Sequence, residues 1–169
     1  MQQNLDKQFE QQINTHKGII YKVTNLYAYT DANRQDLFQE IVLQLWRAFP
    51  KFRGDAKLST WVYRIALNTA ISGLRREKKD IVSFMPDLSP YDNGEITGNN
   101  GEERKLVLLY NAIKQLNQVD KAMVMLYLED KTYADMEDIL GISQGNIRVR
   151  ITRIKEKLRQ LTKNDDYGT

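Results

Sequence analysis

"KTYADMEDILGISQGNIRVRITRIKEKL", Lys131 to Leu158, reads as two helices around a tight turn. Thr132 precedes a short helical run and Asp135 stands three residues on, a capping box with Asp in the usual Glu place. Leu140-Gly141 ends that run, because glycine tolerates the left-handed conformation that closes a helix. Ser143 is then placed to cap a second, longer helix. A short capped helix, a glycine turn and a basic second helix make the helix–turn–helix pattern, whose second helix enters the major groove of DNA.

At about 100° per residue the second helix sorts its side chains. Ile147, Ile151, Ile154, Leu158 and Leu161 form a core stripe, while Arg148, Val149, Thr152 and Arg153 point the other way. These four lie near the N-terminal half, where a recognition helix meets base edges. Lys155, Lys157 and Arg159 flank the stripe and are candidates for phosphate contacts. Arg150 and Lys157 sit closer to the core stripe. The 4, 3, 4, 3 spacing of the stripe also fits a coiled-coil seam, but it lasts only about two heptads, short of the three or four that define one. With a capped helix just before it, DNA binding is the better reading.

Outside this segment the chain is soluble and globular in composition. Its 169 residues suffice for one ordinary domain or two small ones, with 41% hydrophobic and 28% charged residues. Net charge is only +3 although the pI is about 9.0, so nucleic-acid contact has to come from local patches. From Asp80 to Glu103, "DIVSFMPDLSPYDNGEITGNNGEE", there is no Lys or Arg and six acids, with two of the three prolines and three of the nine glycines. That composition predicts a flexible acidic linker over 80–103. It separates a helical domain at 1–79 from the helix–turn–helix domain at 104–163, with a tail at 164–169. Everything else is helical in period, so the predicted fold is all-α, two small helical domains.

In the first domain, "DLFQEIVLQLWRAF", Asp36 to Phe49, turns Leu37, Phe38, Ile41, Val42, Leu45, Trp46, Ala48 and Phe49 to one wide face. Opposite them stand Asp36, Gln39, Glu40, Leu43 and Arg47. This face is either a docking surface or a solvated one with one exposed leucine. After Pro50, Gly54-Asp55 marks a turn, and Ser59 or Thr60 is a natural N-cap for "WVYRIALNTAISGLRREKK". That helix is expected to bury Tyr63, Ala66, Leu67, Ala70 and Leu74. Trp61, Arg64, Asn68, Ser72 and Arg75 gather on another stripe, and Arg76, Lys78 and Lys79 add charge at its end. Ring, amide and cation on one face suit unpaired bases. The alternative is that Trp61 anchors the core and the arginines are solvated.

Several classes are disfavoured. There is no cysteine and a single histidine, His16, which leaves no disulfide, thiolate or histidine-rich metal site and fits a reducing cytoplasm. No apolar run nears the roughly 18 residues that span a bilayer, and Met1–Asn14 is too polar for a signal peptide. No Gly-rich phosphate loop and no Ser/His or Cys/His constellation appears. The expectation is a non-enzyme without cofactor, without membrane insertion, located in the cytoplasm.

Two segments, in this order and on either side of an acidic linker, resemble a known family. "DLFQEIVLQLWRAFPKFRGDAKLSTWVYRIALN…LRR" resembles region 2, and "LNQVDKAMVMLYLEDKTYADMEDILGISQGNIRVRITRIKEKL" region 4, of bacterial RNA polymerase sigma factors of the extracytoplasmic-function group. The resemblance implies core RNA polymerase and promoter DNA, as duplex and as melted single strand, as partners, with an anti-sigma protein as a further candidate. It assigns Asp36, Gln39, Glu40 and Leu43 to polymerase docking. It places the "FRGDAKLST" loop and Asn68, with Trp61, Arg64, Arg75 and Arg76, at the melted minus-ten element. Arg148, Val149, Thr152 and Arg153 fall at the minus-thirty-five element.

The sequence departs from the family pattern at four places. Ser72 stands near where an Asp is frequent, and Leu116-Asn117 where leucine-proline usually opens region 4. Gly145-Asn146-Ile147 replaces Gly-Thr-Val. Glu137 takes a position usually held by alanine. A buried carboxylate is costly without a partner, so Glu137 is expected to reach outward or to splay the two helices. A reading of another class remains, a stand-alone helix–turn–helix regulator, which would need a dimer interface and bind a palindrome without polymerase.

Overall fold

The computed structural model describes residues 2–80 and 101–166, which fall into two compact units. Among them every regular element is helical, as the periodicity predicts. Of the linker expected at 80–103, residues 81–100 lie outside the described residues. Its edges belong to helices: Asp80 ends one, and 101–103 open the next.

The first unit packs α1 (Gln2–Tyr27), α2 (Asp31–Ala48) and α3 (Leu58–Asp80) against one another, with a single 3-10 turn at Phe49–Lys51 between the last two. Phe9, Ile13, Ile20, Val23 and Tyr27 recur at helical spacing along α1 and are buried. They meet Ile41 and Leu45 of α2 and Val62, Tyr63, Ala66, Leu67 and Ala70 of α3. Of the wide apolar face expected on α2 only Ile41 and Leu45 are fully buried, the other six being half-buried, and Leu74 is half-buried too. Thr30 caps α2, its hydroxyl accepting from Asn33 N–H at 3.1 Å.

The cap expected at Ser59 or Thr60 is not there. Trp61 N–H donates to the Lys57 carbonyl at 3.1 Å, so α3 opens at Leu58 and both hydroxyl residues lie in its first turn. Leu58 is half-buried and Thr60 buried, so packing carries the helix further back than the capping preference indicates. Gly54, at φ +76°, makes the turn just before it.

The second unit holds α4 (Gly101–Lys114), α5 (Gln118–Leu128), α6 (Tyr133–Leu140) and α7 (Gln144–Asp166). The capping box is complete: Thr132 Oγ1 accepts from Asp135 N–H at 3.1 Å, and Asp135 Oδ2 accepts from Thr132 N–H at 3.2 Å. Gly141 takes φ +68°, its N–H donating to the Glu137 carbonyl at 2.8 Å. Ser143 receives Ile147 N–H on its carbonyl at 2.9 Å and Asn146 N–H on Oγ at 3.4 Å. Asn117, in place of proline, caps α5 by accepting from Asp120 N–H at 2.9 Å.

Ile147, Ile151 and Ile154 are buried with Met123, Leu126, Met136 and Ile139. Leu158 and Leu161, expected in the same stripe, are half-buried, because α7 runs past the short α5 and α6. It continues to Asp166, three residues into the expected tail.

Candidate nucleic-acid and polymerase interfaces

The buried isoleucines fix how α7 is rotated, and the rotation turns Arg148, Val149, Thr152 and Arg153 outward together. All four are exposed, and Val149 at 51% is one of the few large apolar side chains so placed. The Arg148 guanidinium lies over the Tyr133 ring, 5.3 Å from its centroid, a contact that limits the rotamers of a long side chain. Thr152 donates its hydroxyl to the Arg148 carbonyl at 3.1 Å, which engages its one donor. The four residues therefore form one face of cations and methyls, without an acid among them.

The flanking cations divide. Lys155 donates to Tyr127 OH at 2.7 Å with its ammonium 4.3 Å from that ring. Arg159 pairs with Glu156 at 2.7 Å. Lys157 is exposed rather than close to the core stripe. Arg150 is half-buried and pairs with Asp120 of α5 at 2.7 Å, an acid whose other oxygen accepts from the Asn117 amide at 2.8 Å. Arg150 thus ties α7 to the N-terminal cap of α5 instead of facing outward.

Asp120 is only 15% exposed, and losing a charged hydrogen-bond partner at such a site costs about 1–3 kcal/mol. Arg150→Ala is therefore expected to lower the thermal midpoint of the second unit, at roughly 4–8 °C per kcal/mol for a domain this small. Differential scanning calorimetry checks it, and an unmoved midpoint shows that the pair contributes nothing. Of the two outcomes expected for Glu137, the carboxylate reaches outward, to a surface contact. The residue is half-buried, and its Oε2 accepts from Gln144 Nε2 across the turn at 3.0 Å.

In the first unit, α3 brings the expected stripe together only in part. Asn68, Ser72 and Arg76 are exposed, Arg64 is half-buried, and the side chain of Arg75 lies outside the described residues. Trp61 is half-buried, its ring 5.0 Å from Phe52 and 6.3 Å from Phe49. Phe9 continues the aromatic cluster, meeting Phe49 at 5.3 Å and Trp46 at 5.0 Å. Trp61 is thus an anchor shared by α3 and the loop before it, with part of the indole still accessible.

On α2, Asp36, Gln39 and Glu40 are exposed, and Leu43 is 40% exposed. Spacings of 3, 1 and 3 put the four on one row. Glu40 Oε1 accepts from Gln44 Nε2 at 2.7 Å. Sequence reasoning missed what α1 adds here. Tyr21, 54% exposed, stacks on Phe38 at 4.9 Å, and a cleft lined by Tyr21, Thr24, Asn25, Phe38 and Gln39 opens beside the row. An exposed tyrosine on an otherwise polar helix face was the available signal.

Among the described residues no group of His, Asp and Glu side chains is placed to hold a metal ion, and no helix is long and apolar enough to cross a membrane.

Comparison with known proteins agrees with this division. Residues 13–80 match sigma-70 region 2 and residues 106–158 match sigma-70 region 4. The chain is 24% identical over 154 residues to the ECF RNA polymerase sigma factor SigM of Mycobacterium tuberculosis, covering 90% of this chain and 76% of the relative. Identity to SigW of Bacillus subtilis is 28% over 159 residues, covering 88% and 85%. To the sigma-E factor of Escherichia coli K12 it is 29% over 134 residues, covering 73% and 70%. Among solved structures, the sigma factor RpoE of Bartonella quintana, crystallised with the anti-sigma factor NepR, superposes with a TM-score of 0.68 at 21% identity, covering 93% of this chain and 98% of that one. CnrH, in complex with the cytosolic domain of CnrY, gives 0.65 at 18% identity, covering 95% and 90%. With both regions present in order on one helical chain, the protein belongs to the sigma-70 family of RNA polymerase sigma factors, in its extracytoplasmic-function group.

Proposed function

We propose that this chain is a specificity subunit that binds core RNA polymerase in the cytoplasm and directs promoter recognition, melting and transcription initiation, while the polymerase performs the chemistry. The observation that carries the reading is the pairing of regions 2 and 4 on one chain, the second exposing a cationic helix face. In this reading residues 1–79 dock on polymerase through Asp36, Gln39, Glu40 and Leu43. The same unit holds the melted minus-ten strand through Trp61, Arg64, Asn68, Arg75 and Arg76. Residues 104–163 read the minus-thirty-five duplex through Arg148, Val149, Thr152 and Arg153. The neighbours solved with NepR and CnrY support an anti-sigma protein as a further partner.

Co-purification with core polymerase tests the proposal. Gel shifts with and without core add a second measure. A net charge of +3 gives the isolated protein little long-range attraction to DNA, so promoter binding is expected to be weak alone and to tighten when core tethers both units. Tight binding to a palindrome without core would instead mark a stand-alone regulator.

For Asn68, exposed on α3, the expected role is in opening. Its amide would pair with an extruded base, so Asn68→Ala lowers open-complex formation on duplex promoters, read by permanganate reactivity of promoter thymines. A template already mismatched at the minus-ten bases recovers the pairing cost but not the lost base contact. Unchanged reactivity would remove Asn68 from this role.

A further inference from the structure

The contact between Glu137 and Gln144 is not accounted for by the docking row or by the four outward residues of α7. Glu137 belongs to the first helix of the helix–turn–helix, and Gln144 is the first residue of the second. Gln144 Nε2 donates to Glu137 Oε2 at 3.0 Å. An ionised carboxylate only accepts. The contact therefore has one amide orientation, nitrogen toward Glu137 and carbonyl away from it. A glutamine with no such partner presents either edge of its amide; this one is biased to a single edge.

Gln144 is also where a reader has to be. It is exposed and stands in the first turn of α7, the end of a recognition helix that meets base edges. Arg148 and Thr152 follow it at intervals of four residues, so the three share one ridge of the helix. Gly145 beside it has no side chain, and a Cβ there would meet nothing within 4 Å. The approach to the amide is open.

We propose that Gln144 reads one base pair of the promoter duplex, and that Glu137 is the positioning residue that fixes which edge of the amide is offered. One N–H of the amide is engaged by Glu137, leaving the carbonyl and the second N–H side by side on the free edge. That acceptor–donor pair matches the N6 amine and N7 of adenine in the major groove, and it mismatches guanine, which presents two acceptors there. The carboxylate disfavours the flipped amide, which would set two acceptors against each other. The pair therefore adds discrimination rather than general DNA affinity, for which a carboxylate near phosphates would be a poor device. This inference rests on α7 being the promoter-reading helix.

The test is transcription by the protein assembled with core polymerase, on templates in which each base pair of the minus-thirty-five element is changed singly. Gln144→Ala is expected to lose discrimination at one base pair carrying adenine, by roughly fivefold or more. Glu137→Ala loses it at the same pair. Glu137→Gln keeps the side-chain length and a hydrogen bond to Gln144, but it accepts or donates and so permits both amide orientations. It should therefore flatten the preference at that pair without moving the thermal midpoint, a result a purely structural brace would not give. Arg148→Ala serves as the control for the helix itself.

If Gln144→Ala and wild type share one preference table while Arg148→Ala is defective, the proposal falls and α7 remains the reader. If Arg148→Ala is also without effect, the reading of α7 falls with it. Relaxation by Gln144→Ala alone, with both Glu137 variants like wild type, overturns the positioning role. A preference for guanine overturns the adenine assignment.

Discussion

Arg148→Ala and Arg153→Ala are each expected to cut transcription from promoters dependent on a minus-thirty-five element severely, while leaving core binding intact. Both side chains are exposed on the side of α7 opposite its buried isoleucines, so neither substitution opens a cavity. What is lost is a base contact, worth about 1–3 kcal/mol or roughly five- to a hundredfold, or a phosphate contact that also lowers the salt slope. Arg148 starts with an advantage, because stacking on Tyr133 already restricts its rotamers before DNA arrives. Tyr133→Ala should accordingly reproduce part of the Arg148→Ala defect.

Arg150→Ala is the comparison that makes the experiment decisive. Its guanidinium is held by Asp120, so at a temperature below its lowered midpoint it should transcribe better than the other two. Thr152→Ser removes the methyl and keeps the hydroxyl, which shifts preference at a thymine more than affinity. Transcription by all these proteins on one promoter at fixed salt is the measurement. Should Arg150→Ala be the worst and Arg148→Ala and Arg153→Ala near wild type, α7 faces DNA by another side.

Why these residues were legible from the sequence is a matter of range. Thr132, Asp135, Gly141 and Ser143 act on backbone groups within four residues of themselves, so their types and spacing carry the whole interaction. The outward set on α7 follows from a period imposed by three buried isoleucines. The contacts that were not legible cross between elements. Arg150 could be placed near the core stripe, but its partner Asp120 is thirty residues away, and no local pattern names it. Glu137 was visible as an oddity, whereas its solution, Gln144, sits across a turn whose geometry only the fold supplies. At Ser59 and Thr60 the capping preference was real but weaker than the packing of Leu58 and Thr60, and the start of α3 moved accordingly. The contribution of Tyr21 to the α2 face required knowing that α1 lies beside α2.

Glu40→Lys is expected to abolish core association and leave the fold as it was. Glu40 is exposed on α2 and its single described contact is with Gln44, one turn along the same helix, so folding loses no more than a few tenths of a kcal/mol. Docking is a different matter. Asp36, Gln39, Glu40 and Leu43 form one row, an apolar side chain among polar and acidic ones, and on the proposed docking role the complementary surface would be cationic. Reversing the charge at its centre sets like charges against each other, which costs several kcal/mol at an interface. Association with core should therefore fall by at least a hundredfold, with circular dichroism and thermal midpoint near wild type. Gln44→Ala removes the same intrahelical hydrogen bond without changing charge, and it should bind core nearly normally. If Gln44→Ala is as defective as Glu40→Lys, the helix rather than the row was damaged. If Glu40→Lys binds core normally, polymerase meets this unit elsewhere, and the Tyr21–Phe38 cleft beside the row becomes the surface to vary next.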